Sequence, residues 1–564
     1  MGIGVSPGIA IGKALVLKEI PSNLPKQSYH NNEEENQRLD KCLSTVRHQL
    51  ENIRVEAEAK LGDMAQILDA QILVTQDEEL LTFVRGKLKE GLTAEAAVYD
   101  GVEFYANLLA NMDNDYMRER AADIRDVGQR MIRHLLGLEQ SNLTHLTESC
   151  IIVAHDLTPS DTATMDQERV LGFVTDIGGR TSHTAIMART LEIPAIVGTV
   201  DGTSIIKTGD MMVFDGESGE LILNPSEETL KVYSAKQKQD RENKARLQTL
   251  KEQPSMTLDG RKVIVAANIG TPKDCEGALK HGAEGVGLFR TEFLYLNRDT
   301  LPSEEEQFQA YKAALEAMAP NSVIIRTLDV GGDKEIPYLG LAKESNPFLG
   351  YRAIRVCLRQ TEIFKTQLRA LLRASVYGKL GIMYPMISGL AEVRQANAIL
   401  AVAKAELAAE GIAVSPDVEV GIMIEIPSAA VISDILAKEV DFFSIGTNDL
   451  IQYTTAVDRL NENIASLYSP YHPGVLRLVQ KVIENGHKSG IWVGMCGEAA
   501  GDTALIPLLL GMGLDEFSMS AISVLKAREL IGQLNYAETQ AWVPEILAMG
   551  TAEEIKEALL LKST

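Results

Sequence analysis

Basic charge is what this sequence has too little of. Its 564 residues carry 55 Lys plus Arg against 78 Asp plus Glu, a formal net charge of −23. Nucleic-acid binders need a basic face that neutralises phosphates, so no nucleic acid is expected as a partner. Aromatics are scarce at 5%, which argues against a stacking platform for single strands. Five cysteines, Cys42, Cys150, Cys275, Cys357 and Cys496, lie far apart with no C-x-x-C pair. Neither a disulfide framework nor a zinc site is signalled, and a reducing, cytoplasmic setting fits. No apolar run reaches the ~18–20 residues that span a bilayer, and the N-terminus lacks the basic start and apolar core of a signal peptide. No membrane insertion is therefore expected. Met1-Gly2-Ile3-Gly4-Val5-Ser6 formally fits a myristoylation pattern, but apolar residues continue through Ile9 and Ile11 as in a strand.

What is present is an ordinary globular composition, 45% hydrophobic and 24% charged, in a chain long enough for several cores. Residues 1–22 read as short strands broken by Gly and Pro. Over 23–141 the texture is helical. Leu39, Leu43, Val46, Leu50, Ile53, Ala57 and Leu61 recur at steps of three and four along a predicted helix over 31–62, and similar patterns follow over 64–88, 94–112 and 115–138. Such stripes are core packing in the first instance. An all-helical block within an α/β chain also suits an inserted partner-binding module. Strand texture returns over 142–224, at Cys150–Val153, Val170–Thr175, Ala195–Gly198 and Met211–Phe214. The charged, nearly strand-free stretch 225–256 predicts a helical linker, a semi-rigid arm with hinges at its ends.

Over 257–564 eight strand candidates alternate with helical segments: Val263–Ala267, Val286–Phe289, Val323–Thr327, Ile382–Met386, Val420–Ile424, Phe442–Ile445, Trp492–Met495 and Glu516–Met519. That alternation predicts a (β/α)₈ TIM barrel with its site at the C-terminal strand ends. The fold class is thus α/β multidomain: a C-terminal barrel and an N-terminal α/β domain carrying an inserted four-helix block. Polar residues cluster where a barrel site requires them: Asn268, Arg290 and Glu292, Arg326 and Asp329, Glu425, Asn448 and Asp449, Cys496 and Glu498, Ser518 and Ser520.

Glu425 and Asp449 each follow an apolar run, and such a pair suits a hard divalent cation like Mg²⁺ that keeps water or substrate oxygens in its other positions. Arg290, Arg326 and Arg352, with Arg459 shortly after, add fixed positive charge. Carboxylates, a cation and guanidinium forks together describe a site for a small, densely anionic substrate. The plainer reading is surface salt bridges, which the shared placement past strands weighs against. Cys496, in Gly-Met-Cys-Gly-Glu, is a thiol that can donate a proton, attack as a nucleophile or fill core. His183, behind Gly178-Gly179 and among Thr181, Ser182 and Thr184, opens a helix whose amides and hydroxyls favour a negative group on the ring. It has no second ligand at metal spacing, so a phosphorylated imidazole suits it better than zinc, although a lone histidine is commonly structural.

The segments GGRTSHTAIMAR, GLFRTEFLY, IIRTLDVGGDKE, NPFLGYRAIR, GIMIEIPSA, FSIGTNDLIQYTTAVDR and GMCGEAAGD, in this order, closely resemble the Enzyme I family of the bacterial sugar phosphotransferase system, the phosphoenolpyruvate-protein phosphotransferases. The resemblance covers essentially the whole chain. It implies that His183 takes the phosphoryl group from phosphoenolpyruvate and passes it to a histidine of the carrier protein HPr. It implies Glu425 and Asp449 as Mg²⁺ ligands, and Arg290, Arg326, Arg352, Arg459, Asn448 and Asp449 as substrate contacts. Cys496 becomes the proton donor to the enolate that forms pyruvate, and Thr162 a hydrogen-bond partner of the active histidine. It further implies an α/β phosphohistidine domain split over 1–22 and 142–224, an HPr-binding insert at 23–141, a swivelling linker at 225–256, and a barrel at 257–564 through which homodimers form. Ala499 departs from the larger apolar residue expected there, and the insert is the part least like a motif.

Two other readings compete. A phosphoenolpyruvate synthase or pyruvate phosphate dikinase would carry a nucleotide-binding domain before its phosphohistidine segment, and fewer than 185 residues precede His183, with no Gly-rich phosphate loop. An inactive scaffold binding a carrier protein would have no need of His183, both acids, the arginines and Cys496 together.

Overall fold

The structure is a computed structural model. It describes residues 2–562 apart from 18–23, 25, 27–30, 62–68, 70, 111–114, 139–142, 144–145, 158–160, 162–164, 167, 180–181, 297, 299, 332–335, 343 and 460. The chain divides into two compact units, Met1–Asn243 and Lys244–Thr564.

The first unit holds a seven-stranded sheet built from β1 (Ile3–Ser6), β2 (Ile9–Val16), β3 (Cys150–Ala154), β4 (Val170–Thr175), β5 (Ala195–Val197), β6 (Met211–Asp215) and β7 (Glu220–Leu223), in the order β1-β5-β4-β3-β2-β6-β7. β2 to β5 pair in parallel, and the flanking pairs β1·β5, β2·β6 and β6·β7 are antiparallel. β3 reads CIIVA and is buried at every residue because the sheet is covered on both faces. Ile152 and Phe173 pack with Ala185 and Ala188 on one face, and Ile151 and Val174 with Met212 and Phe214 on the other.

Between β2 and β3 the chain forms helices at Asn32–Leu61, Glu78–Lys89, Ala94–Ala110 and Asp115–Leu135. The predicted stripe is the core over its first turns: Leu39, Leu43, Val46 and Leu50 meet Val84, Leu88, Val127 and Met131, with Ile53 packed partly buried against them, and the side chains of Ala57 and Leu61 lie outside the described residues. Arg38 ties the helix starts together, bonding the buried carboxylates of Glu35 at 2.8 Å and Glu95 at 3.0 Å.

The charged stretch after the sheet is helical only over Glu227–Gln248, with Tyr233 its buried residue. The predicted helix ran on toward residue 256. It stops because Pro254 disfavours helical backbone before it, and because Arg528 draws off the carbonyls of Leu250 and Lys251 at 3.1 and 2.8 Å.

The second unit is a closed, all-parallel barrel of β8 (Ile264–Ile269), β9 (Gly285–Arg290), β10 (Ser322–Arg326), β11 (Lys379–Tyr384), β12 (Glu419–Ile424), β13 (Phe442–Ile445), β14 (Trp492–Met495) and β15 (Glu516–Met519). One side of each strand meets the surrounding helices, and the other fills the interior with Leu288, Ile324, Met383, Met423 and Phe442. Phe442 stacks on Trp492 with centroids 4.6 Å apart. Gly421 is required beside them, since a Cβ there would lie 2.5 Å from the Phe442 ring. No helix among the described residues is long and apolar enough to cross a membrane, and the five cysteines are buried and unpaired.

At the start of β15 the carboxyl of Glu516 is buried inside the barrel, its Oε1 without a hydrogen-bond partner. Burial, with Glu419 adding like charge, pushes it up to about 8. Its folded pKa therefore lies above the unfolded value, and the folded barrel binds an extra proton in between, so stability falls as pH rises from about 5 to about 8. Glu516→Gln is expected to flatten that decline. Both tryptophans, Trp492 and Trp542, lie in this unit, so denaturant midpoints read by Trp fluorescence across that pH range report on the barrel. Equal slopes in the two proteins would refute the assignment.

Candidate active site

The C-terminal ends of the barrel strands carry a buried, alternating array of charge. Arg326 closes β10, and Asp329 follows three residues later. The Asp329 carboxylate accepts from Arg326 Nη1 at 2.8 Å with Oδ2 and from Arg352 Nη2 at 2.9 Å with Oδ1. Glu292, just past β9, takes the other arm of Arg326. Arg352 continues toward Asp449 Oδ2 at 3.5 Å, and Arg459 lies 3.5 Å from Asp449 Oδ1. Arg326 and Arg352 are 6% and 4% exposed, so these are not surface salt bridges. Burial opposes charge on both guanidiniums, but Asp329, with Glu292 beside one and Asp449 beside the other, more than offsets it and raises their pKa values.

Phe348 adds a support that sequence reasoning left without a role. Arg352 and Arg459 both stand over its ring, at 5.7 and 5.8 Å from the centroid. Tyr453 fastens that segment by donating to the Phe348 carbonyl at 2.5 Å, while Arg352 Nη1 lies 3.4 Å from the phenol. No helical spacing marks it in the sequence, because the short 3₁₀ turn Pro347–Leu349 ends at Gly350, before Arg352.

Glu425, at the end of β12, is buried, and its Oε1 accepts from Met386 N at 2.5 Å. Burial first, then the neighbouring Asp449 and Asp329, push it up to about 8. Asp449 lies in the first turn of the helix Thr447–Thr455 after β13, and its buried Oδ1 makes no hydrogen bond, Arg459 standing off at 3.5 Å. Among the described residues no set of three or more His, Cys, Asp or Glu side chains is gathered as a metal cage. Asn448 turns to Glu498, whose amide N donates to Asn448 Oδ1 at 3.2 Å. Arg290 ends β9 with its side chain open to solvent.

Cys496 follows β14 and is 3% exposed. Burial pushes its thiol up to about 11, against the lowering pull of the neighbouring Ser444 and of Arg326. It is therefore a protonated thiol at neutral pH, able to give a proton and poorly suited to attack as a thiolate. The array brings together Arg326, Arg352, Glu425, Asp449 and Arg459, with Cys496 and Arg290 within electrostatic reach of Arg326.

In the first unit, Gly178 turns the chain with φ +111°, a backbone region that favours glycine. Ser182 then caps the helix His183–Thr190, its side chain accepting from Ala185 N. The helix packs through Ala185 and Ala188 on the sheet, and the Thr184 hydroxyl lies 3.0 Å from Asp156 Oδ1 after β3. His183 thus occupies the first helical position. Its side chain, with Thr162, Arg180 and Thr181, lies outside the described residues.

Comparison with known proteins covers the whole chain. Family profiles described as the N-terminal, mobile and PEP-binding domains of PEP-utilising enzymes match residues 1–120, 146–219 and 244–536. Proteins named phosphoenolpyruvate-protein phosphotransferase are similar end to end. That of Priestia megaterium is 54% identical over 565 aligned residues, covering 100% of this chain and 98% of its own. That of Bacillus subtilis is 54% identical with 98% of each chain covered, and that of Staphylococcus carnosus 53% identical with 98% and 97% covered.

Proposed function

This chain belongs to the phosphoenolpyruvate-protein phosphotransferase family, and from that we infer that it moves the phosphoryl group of phosphoenolpyruvate to its own His183 and then to a histidine of the carrier HPr, releasing pyruvate. The relatives matching over its full length bear that name, which favours this activity over a phosphoenolpyruvate synthase. One observation carries the reading: a buried Arg–Asp–Arg bridge standing beside two acids and a protonated thiol at the strand ends of a barrel.

Arg326 and Arg352, held in place by Asp329, present fixed positive charge to the phosphate and carboxylate of the substrate, with Arg290, Arg459 and Asn448 around them. The P–O bond to the enol oxygen breaks as a P–N bond forms on the His183 ring, and the phosphohistidine gains from sitting at a helix N-terminus. The enolate's C3 takes the proton of Cys496, breaking S–H and making C–H, and the thiolate regains a proton from water.

Glu425 and Asp449 suit a divalent cation, Mg²⁺ in our reading. Both offer hard oxygens, and the buried Asp449 Oδ1 makes no hydrogen bond. Held by these two acids, the ion would take its remaining oxygens from substrate and water, and would offset charge on the phosphoryl group. Glu425, buried as it is, would ionise in holding such an ion. Support for the carrier comes from the helical segment, where exposed Leu73, Phe104 and Leu108 accompany the acids Asp77, Glu78 and Glu79. We assign homodimer formation to the barrel unit, which leaves Leu349, Val431 and Ile435 exposed.

Incubation with phosphorus-labelled phosphoenolpyruvate and Mg²⁺ is expected to leave acid-labile, base-stable label on the chain, which moves to added HPr. Acid-stable label, or none, would overturn the proposal.

A further inference from the structure

We propose that Asn268 and Ser518 are positioning residues for the Cys496 thiol and fix which face of the enolate receives its proton. This rests on the reading of Cys496 as proton donor. The backbone ladder between β14 and β15 runs through Gly494↔Glu516 and Met495↔Phe517 and ends there. At the next position the Cys496 carbonyl is held by a side chain instead. Asn268, on β8 beyond β15, donates from Nδ2 to Cys496 O at 3.0 Å and lies 3.4 Å from Ser518 O. The Ser518 hydroxyl donates to Asn268 Oδ1 at 2.7 Å. That last bond fixes the amide's orientation, since the reverse rotamer would set Oδ1 against two carbonyl oxygens.

The other polar group of the Cys496 backbone is also engaged, its N donating to Ile445 O at 3.1 Å. Gly497 comes next, where a Cβ would fall 1.8 Å from Thr447 Oγ1, so the segment passes too close to β13's loop to shift that way. The thiol donates weakly to Ile445 O, 3.9 Å away, and packs against Leu288, Ile324 and Met423. That carbonyl also accepts from Cys496 N, so it orients the resting S–H from the β13 side, while the position of the sulfur depends on the backbone, which Asn268 holds from the β8 side. Proton transfer to carbon is sensitive to such aim, with a displacement of 1 Å worth about 100-fold in rate. In the step concerned, S–H breaks, the enolate's π electrons form C3–H, and water restores the thiol.

The test uses the full-length enzyme with Mg²⁺ and HPr, and phosphoenolpyruvate carrying deuterium stereospecifically at C3, turning over in tritiated water. Pyruvate is trapped at once by reduction to lactate, and the chirality of its methyl group is read. The parent protein is expected to give one configuration and Cys496→Ala a racemic methyl. Asn268→Ala, and Asn268→Asp, whose ionised carboxylate cannot donate to the Cys496 carbonyl, are expected to lose most of the selectivity and to form pyruvate about 10–100-fold more slowly. Ser518→Ala should share the defect and Ser518→Thr should restore it. Phosphoryl transfer from phospho-HPr to His183 should be unaffected in all of these, and Trp fluorescence checks that the barrel is folded. Wild-type chirality in the Asn268 variants together with racemic product from Cys496→Ala would overturn the positioning role alone. Wild-type chirality in Cys496→Ala would overturn the donor assignment and the positioning role with it.

Discussion

Replacing His183 with alanine is expected to abolish phosphoryl labelling of the chain by phosphoenolpyruvate, a loss greater than about 10⁴-fold, the scale on which removal of a covalent nucleophile is felt. His183 is one of nine histidines, and several others are occupied by structural contacts. His487 Nε2 lies 2.7 Å from Asp515, His472 Nδ1 accepts from Gly474 N at 3.1 Å, and His281 Nδ1 lies 2.8 Å from the Gly277 carbonyl. Of these, His472 also opens a helix, Pro473–Lys488, but its ring is engaged as the cap itself, whereas at His183 the cap is Ser182, behind the Gly178 turn. A phosphate on the ring of a first-turn residue gains about 0.3–1 kcal/mol from the helix end, and up to about 2 where partly buried. The variant should still bind phosphoenolpyruvate in the barrel, which calorimetry measures. Acid-labile label on His183→Ala at the parent level would show that another residue is the acceptor.

The barrel was legible because strands buried on both faces read as short β-branched runs, most of them followed by a charge or an amide at the mouth. Limits set by backbone exceptions were harder to read. The strand expected over Ile382–Met386 is Lys379–Tyr384, because Met386 adopts φ +55° and turns its N–H to Glu425. β7 went unnoticed because ELIL is too short and half-exposed to stand out beside β6. At the site, position was legible and pairing was not. Arg326, Arg352 and Asp329 could be placed past strands from sequence, but nothing in their spacing says that one carboxylate bridges both guanidiniums. Phe348 and Tyr453 passed as apolar and polar residues of a loop and a helix, since their role depends on a meeting across about a hundred residues. The amphipathic stripe from Leu39 to Leu50 was transparent, because burying it against neighbouring helices requires only the helical period.

Removing the carboxylate that makes that bridge is expected to have the second large effect. Asp329 is 2% exposed and supplies one oxygen to each of two buried arginines. Asp329→Ala leaves two guanidiniums facing each other with less than their share of negative charge, since Glu292 reaches Arg326 and Asp449 reaches Arg352 only at 3.5 Å. Breaking a buried ion pair from one side destabilises by about 3–5 kcal/mol, so the Trp-reported unfolding midpoint of the barrel should fall sharply. Asp329→Asn keeps the shape and one acceptor oxygen and should fall between. The anionic substrate replaces part of the missing charge. Phosphoenolpyruvate should therefore bind Asp329→Ala more tightly and, at equal free concentration, raise its midpoint by more than it raises the parent's, while kcat/KM drops because the arginines no longer hold their spacing before the substrate arrives. A parental midpoint and a kcat/KM within about 10-fold of the parent would mean that Glu292 and Asp449 hold the two arginines without Asp329.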